Sequence, residues 1–265
     1  MSVEWPEWPS GICLSPSGEE MYVTDTFNHN IQVLRTSDGS HVREIGSFGE
    51  EHGQFTTPSG VRVSADGEKL YITDTNNDRV QVLRTDGTHI LTFGSHGTGN
   101  GKFNFPYDVC ISPDGEKLYV TDAHNHRIQV FHAYDGSYIQ TFGTKGRAPG
   151  QFERPLGVCI SPDGEKLYVT DSDNNRILVL QALDGIPIQT FGSGILYQPC
   201  GICISSKGDE LYVADKYNHH VHTFRVDGTH VRTICAMFNF PSGVCVSMEG
   251  ELYVTDEKRI KVFQV

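Results

Sequence analysis

The chain has 265 residues, of which 37% are hydrophobic, and its formal net charge is −12. No stretch approaches the roughly 20 apolar residues of a transmembrane helix, and no secretory signal opens the chain, so we expect a cytoplasmic protein without a membrane partner. A surface this acidic disfavours nucleic acids as partners unless a basic patch is segregated on one face.

Taken in chain order, one four-part pattern recurs six times. It covers residues 9–57, returns at 58–105, 106–154, 155–198 and 199–240, and ends after its third segment in 241–265. In the third copy the segments read DVCIS, KLYVTD, RIQVF and YIQTFG, which are rich in residues that favour strands. SPDGEK and AYDG, with the Asp-Gly of tight hairpins, join the first and last pairs.

Repeats of this length with four strands each are typical of β-propeller blades. We therefore predict an all-β, six-bladed β-propeller of four-stranded antiparallel blades, forming a single domain over residues 1–265. The sixth copy lacks a fourth segment, so residues 1–8 are assigned to it. The last blade is expected either to be closed by a short N-terminal strand or to be left three-stranded.

The repeated motifs resemble those of the NHL-repeat family. They are P-x-G-[VI]-x-[VI]-S, LYVTD, N-x-R-[IV]-x-V-[FL] and a closing Phe-Gly, and they recur over nearly the whole chain. The resemblance extends to the C-terminal propeller of TRIM-NHL type proteins. It implies six blades, a binding surface on the top face, which carries the loops after each second strand, and an association with ubiquitin ligases.

The stretch TDAHNHRIQVF places His124 and His126 in such a top-face loop, where they raise the question of a metal site. The equivalent histidines His29, His126 and His219 belong to alternating blades. They would lie too far apart to share a zinc ion, whose ligands stand about 2.0–2.1 Å from the metal. We therefore expect solvated loop histidines, with no metal and no cofactor.

Acidic residues allow two interpretations. The aspartates that end each second segment recur once per blade and are expected to be structural: Asp25, Asp74, Asp122, Asp171, Asp215 and Asp256. Asp108 breaks the pattern, because the other five copies have glycine there. It is either a hydrogen-bonded substitute for glycine or a ligand contact at the mouth of the central channel.

Seven cysteines are present. Five share the middle of the first strand, where the second copy has Arg62: Cys13, Cys110, Cys159, Cys203 and Cys245. Adjacent copies of this position are expected near 10 Å apart, beyond the roughly 7 Å limit between Cα atoms for a disulfide. Reduced, buried thiols are therefore predicted, together with a free Cys235 and no redox role for Cys200-Gly-Ile-Cys203.

Aromatic residues and mixed charges on the top face favour a protein or peptide partner. The predicted function is a noncatalytic, monomeric protein-interaction scaffold. Its candidate binding residues are Phe27, Tyr107, Asp108, His124, Arg127, Arg147, Arg154 and Tyr217.

Two alternatives remain open. One is a metal-dependent lyase or lactonase-like propeller enzyme. It is disfavoured because the position that holds histidines in peptide-amidating lyases has none here: Ser10, Ser59, Tyr107, Leu156, Cys200 and Ser242. The other is binding of single-stranded RNA on the top face, disfavoured by the net charge.

Overall fold

A computed structural model describes residues 2–4, as backbone, and residues 8–265. It contains six antiparallel sheets of four strands each, arranged as the blades of a propeller. The predicted all-β, six-bladed β-propeller is therefore confirmed. Residues 1 and 5–7, which the sequence assigns to the last repeat, lie outside the described residues.

The strands are numbered in chain order and fall into four sets by position in the blade. The innermost strands are Pro9–Leu14 (β2), Pro58–Val63 (β6), Pro106–Ile111 (β10), Pro155–Ile160 (β14), Pro199–Ile204 (β18) and Val244–Val246 (β22). The second strands are Glu20–Asp25 (β3), Lys69–Asp74 (β7), Lys117–Asp122 (β11), Lys166–Asp171 (β15), Glu210–Asp215 (β19) and Glu251–Asp256 (β23).

The third strands are Asn30–Arg35 (β4), Arg79–Arg84 (β8), Arg127–His132 (β12), Arg176–Gln181 (β16), His220–Arg225 (β20) and Arg259–Gln264 (β24). The outermost strands are His41–Ile45 (β5), His89–Phe93 (β9), Tyr138–Phe142 (β13), Pro187–Phe191 (β17), His230–Ile234 (β21) and Ser2–Glu4 (β1). Single turns of 3₁₀ helix follow three of the second strands, at Thr75–Asn77, Ala123–Asn125 and Ser172–Asn174. None of the helical segments within the described ranges has the length and apolar character of a membrane span.

The ring is closed by the N-terminal strand. β1 pairs antiparallel with β24, with Ser2 opposite Lys261 and Glu4 opposite Arg259, so that the sixth sheet has the order β1-β24-β23-β22. Of the two closures left open by the sequence, the structure therefore has the strand contributed by the N-terminus.

The apolar residues form a separate cluster between each pair of neighbouring blades. Ile31 and Phe55 pack with Leu70 between the first and second blades, for example, and all three are fully buried. Met21 packs with Ile260 where the sixth blade meets the first. Burial of these side chains, about 1.5–3 kcal/mol for each large one, holds the blades side by side.

Glycine occupies the third position of most innermost strands because those strands almost touch. A Cβ atom on Gly11 would lie 2.4 Å from the carbonyl oxygen of Ser59 in the next blade, and a Cβ on Gly157 would lie 2.3 Å from that of Cys200. At these two positions a side chain would collide with the backbone of the next blade, so glycine is required there.

A buried threonine hydroxyl bridges five of the six blade interfaces. In the first blade, Thr24 Oγ1 accepts a hydrogen bond from Gly11 N and donates one to the carbonyl of Ser59 in the second blade. The same donation is made by four other threonines: Thr73 to Tyr107, Thr121 to Leu156, Thr170 to Cys200 and Thr255 to Ser10. The fifth blade has Ala214 instead, and there Gly201 N bonds directly to the carbonyl of Ser242 at 2.8 Å.

Candidate functional site

A basin of about 300 Å³ lies at the centre of the top face and is lined by residues of all six blades. Its floor is formed by Tyr107, which reaches from the third blade across the axis to two serines of other blades. The Tyr107 hydroxyl lies 3.3 Å from Ser10 Oγ and 3.4 Å from Ser242 Oγ. Burial raises the pKa of Tyr107, so it is a neutral phenol at neutral pH and can donate a proton.

Two charged residues break the repeat at the rim of the basin. The residue after the aspartate of each second strand is Thr26, Thr75, Ala123, Ser172, Lys216 or Glu257. The first four are small, whereas Lys216 and Glu257 bring opposite charges from adjacent blades, and both line the basin. Groups that depart from an otherwise regular pattern are those expected to carry function.

Lys216 is a cation without a carboxylate partner. Lys145 and Lys261 each form an ion pair with a carboxylate, whereas Lys216 forms no ion pair with any carboxylate of the described residues. Burial lowers its pKa, while its neighbours Cys200, Tyr107 and Tyr217 raise it, and the net direction is upward. The ammonium group is therefore charged at neutral pH.

Glu257 supplies a carboxylate to the basin, oriented by a neighbouring amide. Its Oε2 accepts a hydrogen bond from Asn239 Nδ2, and its backbone N–H donates to the carbonyl of Asn239. The side chain is half-buried, so a bound molecule can reach the carboxylate.

Aromatic rings form one wall of the basin. Trp8 lies edge-on to Phe27, with ring centroids 5.9 Å apart, and it also contacts Phe240 at 6.3 Å. Phe240 in turn meets Tyr217 at 5.6 Å. We call these four residues the aromatic wall.

The residue before each blade's first proline adopts the left-handed conformation, which is uncommon for a residue other than glycine. These pre-proline residues are Trp8, Thr57, Phe105, Arg154, Gln198 and Phe240, with φ between 51° and 68°. Their conformation turns the chain from one blade into the next at the edge of the basin, and all six line it.

Loop residues of the preceding blade brace five of the pre-proline residues. Their backbone N–H groups donate to His29 Nδ1, Asp78 Oδ1, His126 Nδ1, Asn175 Oδ1 and His219 Nδ1. The histidines were expected to be solvated, and the structure instead gives His126 a hydrogen bond of 3.0 Å to Arg154 N. What these loop positions share is therefore an acceptor atom that links neighbouring blades.

Four of the eight residues predicted to bind a partner line the basin: Phe27, Tyr107, Arg154 and Tyr217. The other four lie elsewhere. His124 does not line the basin itself but stacks on Phe105, which does, with ring centroids 4.6 Å apart, and Arg147 is exposed. Arg127 is engaged in the scaffold, because its guanidinium donates to Asp122 Oδ2 at 2.7 Å and to the carbonyls of Thr98, Gly99 and Lys102.

Asp108 lies below the floor of the basin and pairs with Arg62, the other innermost-strand residue that departs from the repeat pattern. Its Oδ2 is 3.9 Å from Arg62 NH2 and accepts a hydrogen bond from Val158 N, while its Oδ1 accepts one from Val109 N. A cavity of about 20 Å³, room for one water molecule, borders both side chains. Asp108 is therefore a substitute for glycine that neutralises a buried arginine, rather than a residue at the mouth of the channel.

Lys216, Glu257, Ser10 and Ser242 are basin residues that were not among the predicted site residues. The sequence contained a signal for the first two, because each replaces a small residue at a position that is small in four other repeats. The serines gave no signal, since serine also occupies that position in the second repeat.

The donor atoms of the basin do not form a metal centre. Glu257 is its one carboxylate among the lining residues, and no group of three or more His, Cys, Asp or Glu side chains within the described part of the chain is placed to hold an ion. The predicted aspartates are engaged with their own blades: Asp122, for example, accepts hydrogen bonds from Asn104 N, Asn125 and Arg127. The metal that the lyase-like alternative implied does not fit these residues.

The free thiols are arranged as the sequence predicts. All seven cysteines are free, and six are buried while Cys235 is exposed. Five of them, with Arg62, line the lower end of the channel. Burial raises the pKa of Cys13 to about 12, so such a thiol is neutral and unreactive.

Comparison with known proteins identifies the repeat and the fold. The model of the NHL repeat matches residues 55–83, 103–131, 152–180 and 196–224. No curated protein matches the chain in sequence. Among solved structures, a hydrazine synthase from Kuenenia stuttgartiensis aligns over 99% of this chain and 97% of its own, with a TM-score of 0.69 and 15% identity. A streptogramin B lyase aligns over 98% of this chain and 95% of its own, with a TM-score of 0.70 and 16% identity.

These similarities correct the predicted function. The noncatalytic scaffold was inferred from the family resemblance and from the scattered polar residues. That prediction, and with it the expectation that the chain is not an enzyme, is wrong, because propellers that align with almost the whole chain are enzymes. At 15% and 16% identity the likeness shows the fold alone.

Proposed function

This chain is an NHL-repeat β-propeller, and from that premise we propose that it is an enzyme of the lyase or lactonase type with its active site in the top-face basin. One observation carries the proposal. The three polar residues that break the six-fold repeat around the basin, Tyr107, Lys216 and Glu257, all line it. Their chemistry is that of a proton donor, a fixed positive charge and a carboxylate base.

The roles follow from the chemistry of the three side chains. Glu257, as the carboxylate, removes a proton from a carbon next to a carbonyl group, or from a water molecule that attacks a lactone. Lys216 stabilises the negative charge that develops on the carbonyl oxygen. Tyr107, neutral and hydrogen-bonded to Ser10 and Ser242, returns a proton to the leaving oxygen.

A substrate panel tests the proposal. Purified protein is assayed with aliphatic and aromatic lactones and with esters that undergo β-elimination, and the active substrate is then used with Tyr107→Phe. Removing the proton donor is expected to lower kcat/KM about 10²–10⁴-fold. Tyr134→Phe, the same change at an exposed tyrosine on the other face, is the control. Full activity of Tyr107→Phe, or no turnover of any member of the panel, would contradict the proposal.

Other features predicted from the sequence are part of the same proposal. A cytoplasmic location is supported by seven free cysteines, since thiols stay reduced in that compartment. The single domain over residues 1–265, the monomeric state and a protein, peptide or RNA partner remain predictions. A link to ubiquitin ligases rests on the family resemblance.

A further inference from the structure

The basin carries positive charge in an acidic protein. Lys216 and Arg154 line it, and Glu257 is the opposing charge among its described lining residues, so its formal charge is positive while that of the whole chain is −12. A local charge of opposite sign to the whole molecule attracts ligands that the rest of the surface repels.

One of these cations has no carboxylate partner in the described part of the chain, and the other keeps a donor without a hydrogen bond. Lys216 has no carboxylate partner among the described residues. Arg154 forms a partly exposed ion pair with Asp173, whose Oδ1 lies 3.9 Å from NH1, and Arg154 Nε is buried without a hydrogen-bond partner. Both cations line the same half-buried basin, where like charges repel each other and an anion between them would be stabilising.

The shape and the remaining surface of the basin indicate what that anion is attached to. About 300 Å³ is within the usual size of a small-molecule site, and the aromatic wall offers ring faces and edges along one side. Aromatic rings favour flat, apolar bodies, which they contact by stacking or edge-to-face packing.

We propose that the basin binds a small organic anion with an aromatic body, its carboxylate, sulfonate or phosphate group held by Lys216 and Arg154 and its ring packed against the aromatic wall. This inference rests on the proposed function, because it names the class of substrate for the same basin. The three hydroxyls of Tyr107, Ser10 and Ser242 lie at the floor, where they can donate to the same anionic group or to a neighbouring carbonyl.

Two fluorescent dyes with the same aromatic body test the inference without turnover. Anilinonaphthalene sulfonate carries an anionic group, and N-phenylnaphthylamine lacks it. Fluorescence titrations of the full chain are expected to show one saturable site that prefers the sulfonate. In Lys216→Met, we expect the affinity for the sulfonate to fall about tenfold or more, with little change for the neutral dye, because a desolvated charge pair has been removed.

Lys207→Met is the matched control, because it makes the same change of charge on the same blade at an exposed turn on the opposite face. It is expected to bind both dyes like the wild type. The inference is overturned if the sulfonate shows no saturable binding, if both dyes bind equally, or if Lys216→Met keeps the preference. Thermal melting curves of each variant serve to check that it is folded.

The inference and the proposed function fail in different ways. Suppose that the protein hydrolyses a neutral lactone in a Tyr107-dependent way, but that its preference for the sulfonate does not depend on Lys216. The proposed enzymatic function would then stand, and the inference of an anionic substrate would be wrong. A preference that depends on Lys216 in a protein that turns over no substrate would do the reverse.

Discussion

Replacing Arg62 by cysteine and Asp108 by glycine, singly and together, tests whether these two residues form one unit. Each change restores the residue found in the other five blades. The two side chains face each other below the basin, with 19% and 13% of their surfaces exposed to the channel. We expect each single change to destabilise the protein and the double change to restore most of the loss.

The magnitude follows from the geometry. At 3.9 Å, the attraction between Arg62 NH2 and Asp108 Oδ2 is about 4 kcal/mol at an effective dielectric constant of about 20. Removing one partner of a buried pair costs about 3–5 kcal/mol, and exposure to the channel places Asp108→Gly at the lower end of that range. Arg62→Cys should cost less, because a carboxyl can take up a proton whereas a guanidinium cannot release one.

Urea denaturation at neutral pH, followed by circular dichroism, measures the four free energies of unfolding. We expect a coupling free energy of about 3 kcal/mol between the two sites, whereas independent sites would add to within about 0.5 kcal/mol. Additive losses would refute the pairing.

The same pair predicts a dependence on pH. Burial raises the pKa of Asp108, and Arg62 opposes that effect. Without Arg62 the folded-state pKa rises further above the unfolded value of about 3.9. A carboxyl whose pKa is raised by folding has no effect on the free energy of unfolding at a pH below its unfolded-state pKa. As the pH rises from there towards the folded-state pKa, the free energy of unfolding falls. Arg62→Cys should therefore approach the wild type at acidic pH and fall behind it as the pH rises above about 4.

Three further changes test the scaffold. Arg127→Met should lower the free energy of unfolding by about 3 kcal/mol, because it leaves the buried carboxylate of Asp122 without its cation. Arg84→Met, at an exposed strand end, is the control and should change the free energy of unfolding by less than about 0.5 kcal/mol in the same urea titration. His126→Ala should cost about 1–3 kcal/mol by removing an acceptor, and His126→Asn should recover most of that loss, because Asn175 supplies the equivalent acceptor in the fourth blade; equal losses would contradict the role of this hydrogen bond. Under native conditions Ellman's reagent should label Cys235 alone, and labelling of more than one thiol per chain would show that the channel opens.

The repeats made the fold predictable from the sequence. Each copy contains its own strand and turn signals, so six independent passages indicate the same blade. The short sixth copy indicates which blade lacks a fourth segment, but it left open whether the N-terminus supplies that strand. The position of Tyr107 in the basin also followed, because the topology assigns that loop to the top face.

Contacts between blades were not predictable in the same way. Arg62 and Asp108 stand in different repeats, and each looks like an isolated exception until the ring places the innermost strands side by side. His126 shows the same limit, because its sequence context reveals a polar loop position but not the N–H group of the next blade that it accepts. Lys216 and Glu257 were visible as exceptions, yet only the closed ring brings them to one basin.

The missing hydroxyl at Ala214 has a consequence for motion. Opening the ring requires one blade interface to separate. At the interface between the fifth and sixth blades, a direct hydrogen bond from Gly201 N to the carbonyl of Ser242 replaces the threonine bridge. Lys216 and Glu257 stand on opposite sides of that interface, so a small widening there would separate the two charges while the other five interfaces stay closed. Amide hydrogens of β18 and β22 are therefore expected to exchange with solvent before those of the other innermost strands. Separation of the blades at this interface would also widen the basin.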